Sequence, residues 1–273
     1  MSYILQFYKA VSVLSIDVAV GAIAGALFFL KIFEVQLSFY GLITLGLSVW
    51  CIYTLDHLVD AFKTKNEASS ERHRFHQQHF RKLLIALIFC LLFNVLFITS
   101  IQKAVFNWGI VLLVIVAFYL FCHQQLKFFK EILVALIYTV GIMLPSISLT
   151  TTDINEQAGF LILMYFLTAL INLILFSWLG IKHDQTDKHI SLMNYLNESS
   201  IKYLLAILFS IQCVLTLFQV LNSTPFVTAL IILFLMNLIL YSIYLFKEYF
   251  IQYNRYRYIG DGIFFLPFIY WLI

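Results

Sequence analysis

The chain has 273 residues, 62% of them hydrophobic and only 11% Asp, Glu, Lys or Arg, where soluble domains carry about 25% charged residues. A mean hydropathy of +0.93 and a net charge of only +3 exclude a soluble globular enzyme and a nucleic-acid-binding module, and point to an integral membrane protein whose medium is the lipid bilayer. The four cysteines, Cys51, Cys90, Cys122 and Cys213, lie in or at the edge of apolar runs without CxxC or other ligand spacing, so they read as small core or lipid-facing residues.

Crossing about 30 Å of hydrocarbon takes roughly 20 apolar residues. Runs of that kind occupy approximately residues 10–30, 37–62, 83–101, 104–122, 131–150, 159–180, 201–221 and 225–246, and a shorter ninth covers 259–273. The first carries no A-x-A-like processing site before Lys31 and is expected to be a retained span rather than a cleaved signal. Nine spans put the N-terminus and the connections after spans 2, 4, 6 and 8 on one side. That side then holds 15 of the 17 basic residues, leaving Lys31 and Lys103 for the other, so the basic side and the N-terminus are expected to be cytoplasmic. His57, His73, His76, His79, His123, His183 and His189 all fall on or next to the same face.

Two acidic segments stand out there. Span 2 ends in "CIYTLDHLVDAFKTK", residues 51–65, where Asp56 and Asp60 share a helix face one turn apart. Span 6 ends in "WLGIKHDQTDKHIS", where Asp184 and Asp187 are three apart. Like charges at these spacings repel, and partial burial makes ionisation costlier, so a positive partner is expected between them. Mg²⁺ suits such oxygen ligands, bridging one or two carboxylates to substrate phosphates; the alternative is solvated acids neutralised by Lys63, Lys65 or Lys188. Trp50-x5-Asp56 and Trp178-x5-Asp184 have the same spacing 128 residues apart, so spans 1–4 and 5–8 read as two parallel-topology halves, whose interface would hold the site. Two facing aspartate pairs would make a two-metal clamp for diphosphate. Lys63, Lys65, Arg72, Arg74, Lys127, Lys130, Lys182, Arg255 and Arg257 are placed to reach phosphate oxygens, or to serve the positive-inside asymmetry alone.

These segments resemble the UbiA superfamily of intramembrane prenyltransferases, which have nine spans, a cytoplasmic-side cavity, a motif N-x-x-x-D-x-x-x-D after span 2 and a D-x-x-x-D-like motif after span 6. By resemblance, Asp56 and Asp60 match the first motif and Asp184 and Asp187 the second, while Lys127, in "YLFCHQQLKFFKE", lies near the basic position carried after span 4. The chain departs from the pattern at Ile52, where the family has asparagine. It departs also in "SSERHRFHQQHF", residues 69–80, which stands where the family has Arg-Pro, and in Lys188 and His189 after the second motif. The resemblance implies an all-α UbiA-like bundle forming a single transmembrane domain over residues 1–273. It implies Mg²⁺-dependent transfer of a prenyl group from a prenyl diphosphate to a hydrophobic, aromatic or lipid acceptor, with the four aspartates as metal-binding and catalytic residues.

Two other functions fit parts of the sequence. His73, His76 and His79 recur at i, i+3 and i+6, as imidazole ligands of a membrane di-metal oxidase would; the same segment also reads as an interfacial amphipathic helix with Phe75 and Phe80 inward. A non-catalytic transporter or scaffold would keep the fold and use intramembrane carboxylates for cation coupling, and Ile52 favours it. Finally, "RYRYIGDGIFFLPFIYWLI" sets Asp261 between two glycines, either as a turn or as a support at the cavity mouth.

Overall fold

The computed structural model describes residues 3–63, 68–122, 129–151, 153–187 and 192–273. Among the described residues the secondary structure is entirely helical. Lys65 and Lys127 lie outside them, as do the side chains of Lys63, Asp184 and Asp187.

The first apolar run is not one helix. α1 (Tyr3–Val13) and α2 (Ile16–Ile32) meet at a bend of 81°, with Ser15 between them in the left-handed region at φ 57°. The straight span therefore starts at Ile16, later than the run's onset near residue 10, because apolarity continues through the bend and conceals it. α3 (Phe39–Lys63), α5 (Phe80–Phe97), α6 (Lys103–Cys122), α7 (Lys130–Leu149), α8 (Glu156–Leu179), α10 (Glu198–Leu221) and α11 (Val227–Leu245) follow. Between them lie the short α4 (Glu71–Gln78) and α9 (Ile181–Asp187). Three starts carry side-chain caps: Ser70 accepts from the His73 amide (3.2 Å), Asn155 from Ala158 (2.7 Å) and Asn197 from Ser200 (2.8 Å). The chain ends in α12 (Lys247–Ile251), α13 (Arg255–Gly262), a 3₁₀ turn at Ile263–Phe265 and α14 (Pro267–Leu272), so the last apolar run is a broken helix.

Among the described residues seven helices are long and apolar enough to cross a membrane, or eight spans if the bent α1–α2 pair counts as one. The protein is thus an all-helical, multi-pass membrane protein. Two short helices interrupt the series of long ones, α4 between α3 and α5 and α9 between α8 and α10. α8 is central, packing on α7, α10, α11 and α13; 61% of its membrane-length stretch is buried, against 6% for α6, whose Leu, Val and Phe side chains face lipid.

Lipid is as apolar as any core, so association in the bilayer rests on close packing and interhelical hydrogen bonds. Gly21 and Gly25 give α2 a smooth face: a Cβ at 21 would sit 2.9 Å from Phe264 Cβ, and one at 25 would strike Tyr165. Gln212 of α10 donates to Thr168 Oγ1 (3.1 Å) and to the Met164 carbonyl (2.8 Å) of α8. Asn237 of α11 donates to the same Thr168 hydroxyl (2.9 Å).

Candidate functional site

The apolar helices line an open-mouthed cavity of about 230 Å³ in which polar side chains converge among apolar ones. α3 presents Tyr53, Asp56, His57 and Asp60 to it, the face a helix builds from positions three and four apart. α4 adds Arg72 and His73, α6 adds Tyr119, α7 adds Lys130, Glu131 and Tyr138, α8 adds Asn172, Phe176 and Ser177, and α13 adds Arg257 and Asp261.

Five residues nominated from the sequence therefore converge: Asp56, Asp60, Arg72, Lys130 and Arg257. Arg74 does not join them; its guanidinium donates to the carbonyls of Ala68 (3.3 Å) and Ser69 (3.2 Å) and closes the turn before α4. Lys182 is exposed on α9 and is not part of the lining. The backbone of Asp184 and Asp187 belongs to α9, which starts just past a break at Gly180, where a Cβ would sit 2.7 Å from the Phe176 carbonyl oxygen. α9 is tied to the connection leading into α4, because Ser69 Oγ lies 3.2 Å from His183 Nδ1 and 3.3 Å from its carbonyl oxygen. Ser69, just ahead of α4, and His183, in the first turn of α9, thus lie side by side.

The basic side chains are held by specific partners. Arg72 Nη2 donates to Asp261 Oδ2 (3.2 Å) and to Ser12 Oγ (3.1 Å), and neighbouring Glu71 pairs with Lys9 of α1 (2.6 Å). Arg257 Nε donates to the Tyr256 hydroxyl (3.2 Å), with its guanidinium over the rings of Tyr256 (5.7 Å) and Phe176 (5.9 Å). Gly260 lets α13 lie against α8; any side chain there would run into Asn172 and Phe176.

The imidazoles group differently from their sequence spacing. His79 caps the end of α4, stacks on Phe75 at 4.3 Å and is not part of the cavity lining. In its place His57 of α3 joins His76 (5.0 Å between ring centroids) and His73 (5.6 Å). His76 is wholly buried, with Nδ1 2.8 Å from the Arg72 carbonyl oxygen. Burial holds its pKa below the ordinary imidazole value, the Arg72 charge adding to this and the carbonyl hydrogen bond opposing it. Among the described residues no three His, Cys, Asp or Glu side chains are placed to hold a metal ion together. Asp56 and Asp60 nonetheless fit the smaller requirement of Mg²⁺, one or two carboxylates completed by water and phosphate oxygens.

Several lining or buried polar residues escaped the sequence reading. Glu131 Oε1 (3.0 Å) and Ser177 Oγ (3.2 Å) both accept from the Leu192 amide and fix the chain as it leaves the α9 connection. Asn172 is buried in α8, and Asp17 is wholly buried in α2, where its Oδ1 accepts from the Val18 amide (2.9 Å). The available signal was their polarity inside apolar runs, which marks functional positions in membrane helices. Ile52, at the position where asparagine would stand, is not in the lining.

The chain matches no family model, no curated protein and no solved structure. Sequence motifs and site geometry carry the functional reading.

Proposed function

We propose that this protein is a Mg²⁺-dependent prenyltransferase of UbiA-like architecture, with nine spans in two parallel-topology halves plus a short last one, a cytoplasmic N-terminus and a cytoplasmic-side active face. The observation that carries the reading is the convergence of Asp56 and Asp60 with Arg72, Lys130 and Arg257 in one cavity that also has aromatic walls. The matching placement of the short α4 after α3 and the short α9 after α8 supports the two halves.

In this reading Asp56 and Asp60 hold Mg²⁺, with Asp184 and Asp187 as the second pair. The metal supplies charge stabilisation for the departing diphosphate. Lys130 and Arg257 donate to its oxygens. The allylic C–O bond breaks with its electron pair leaving on diphosphate, and the faces of Tyr53 and Tyr119 stabilise the allylic cation. The apolar wall keeps water from that cation until an electron pair of the acceptor forms the new bond and the acceptor releases a proton.

The test is release of labelled diphosphate from prenyl diphosphates by purified protein with Mg²⁺. Release should fall at least about 100-fold in Asp56→Asn, the scale of losing one electrostatic transition-state contact, and vanish in EDTA. Equal release by wild type and variant would sink the assignment. A cation-coupled transporter is the second reading, favoured by Asp17, whose Oδ2 has no hydrogen-bond partner among the described residues. It predicts that the ester stays intact.

A further inference from the structure

Arg72 is held from behind. Its Nη2 is shared between Asp261 Oδ2 (3.2 Å) and Ser12 Oγ (3.1 Å), so three elements far apart in sequence, α1, α4 and α13, meet at one nitrogen. Both charged side chains are only 10% exposed, and both line the cavity. No described residue accepts from Arg72 Nε or Nη1, which leaves part of the guanidinium fork for a ligand. Asp261 is itself fixed, because Gly260 beside it packs directly on Asn172 and Phe176 of α8.

We propose that Asp261, seconded by Ser12, is a positioning residue that aims Arg72 at the phosphate oxygens of the ligand. The inference rests on the reading of the cavity as a diphosphate site. α4 is a short helix of eight residues, and an arginine in its first turn would otherwise sample many rotamers. A planar guanidinium gripped at one nitrogen presents its remaining N–H groups in a fixed direction, which bidentate recognition of phosphate requires. Two effects of Asp261 on an anion oppose each other. Its charge repels the anion, and its grip on Arg72 attracts it. If charge dominated, removing Asp261 would tighten anion binding; if positioning dominates, removal loosens it.

The experiment is a double-mutant cycle on the full-length protein, read as the Kd of inorganic pyrophosphate with Mg²⁺, with the ligand-free Tm recorded for every variant. Asp261→Ala should weaken pyrophosphate about tenfold, the scale of one charge-assisted hydrogen bond, and Asp261→Asn, which keeps an acceptor oxygen, should weaken it less. In an Arg72→Gln background Asp261→Ala should weaken binding no further, and by relieving the carboxylate's repulsion should if anything tighten it, which a merely structural role would not produce. Ser12→Ala, a milder change, should weaken binding about threefold and likewise lose its effect in Arg72→Gln; it decides the matter if the Asp261 variants do not fold. Tighter binding in Asp261→Ala, or the same weakening with and without Arg72, overturns the proposal while leaving the diphosphate site in place. Wild type that does not bind pyrophosphate at all overturns both.

Discussion

At the scale of single residues, charge in an apolar setting and the close approach of backbones decide the site. Asp56 and Asp60 were legible in the sequence because a like-charged pair at helical spacing in an apolar run demands a partner. Asp261 was visible but ambiguous, since its partner Arg72 lies 189 residues away and no local pattern reports such a distance. Gly260 is as telling as the charged groups. Gly260→Ala is expected to lower the Tm and to weaken pyrophosphate binding together, because Arg257 and Asp261 ride on the same short helix; a variant with unchanged Tm and Kd would show that the close α8–α13 contact is dispensable. His76 gives a pH dependence of known sign. Its folded pKa lies below the ordinary value, so the folded state binds fewer protons than the unfolded chain. Its contribution is fully present above the unfolded value of about 6.5 and is lost as pH falls through the folded pKa. The charges of Arg72 and His79 reinforce that direction, and the His57 ring packs beside it at 5.0 Å between centroids. Thermal unfolding between pH 7.5 and 5.5 should therefore show a smaller acid loss in His76→Gln than in wild type, and identical curves would contradict this.

At the scale of elements, short polar pieces turn long apolar ones into a site. The stretch 69–80 had two readings, a set of imidazole ligands and an interfacial helix with Phe75 and Phe80 inward. Residues 71–78 form α4 and Phe80 opens α5, with both rings packed against the cluster of Leu58, Leu83 and Leu87. What the spacing could not say is that α4 turns Arg72 and His73 toward the cavity and leaves His79 out, because that depends on α3 and α13. The α1–α2 bend was hidden for a different reason: its left-handed residue is Ser15, with neither Gly nor Pro beside it to mark a break. Around the central helix, the hydroxyl of Thr168 joins α10 and α11 to α8. Asn237→Leu removes its bond from α11 and should cost about 0.6–2 kcal/mol, the range for interhelical hydrogen bonds in bilayers, measured by unfolding in mixed micelles. No loss would mean that van der Waals packing alone holds α11.

At the scale of the whole molecule, seven of the nine expected spans were legible among the described residues, or eight with the bent α1–α2 pair, because hydrocarbon thickness sets a length that few sequences meet by accident. Their arrangement was not. α6 is as apolar as α8, yet one faces lipid and the other forms the centre, and hydropathy cannot tell core from lipid. The positive-inside asymmetry makes a separate prediction: single cysteines replacing Lys103 and Lys202 should react with impermeant maleimide from opposite sides of the membrane, Lys103→Cys from outside. The reverse would invert the topology and put the cavity on the wrong face for a cytosolic substrate. Ligand linkage tests the cavity itself most directly, because whatever binds only the folded state stabilises the whole molecule, by about 2.7 kcal/mol at 100 times its Kd. The decisive measurement is the thermal shift given by a non-hydrolysable prenyl diphosphate analogue with Mg²⁺ and with EDTA. A shift present with Mg²⁺ and lost with EDTA is predicted; no shift, or an equal shift in both, would contradict a metal-dependent diphosphate site at Asp56 and Asp60.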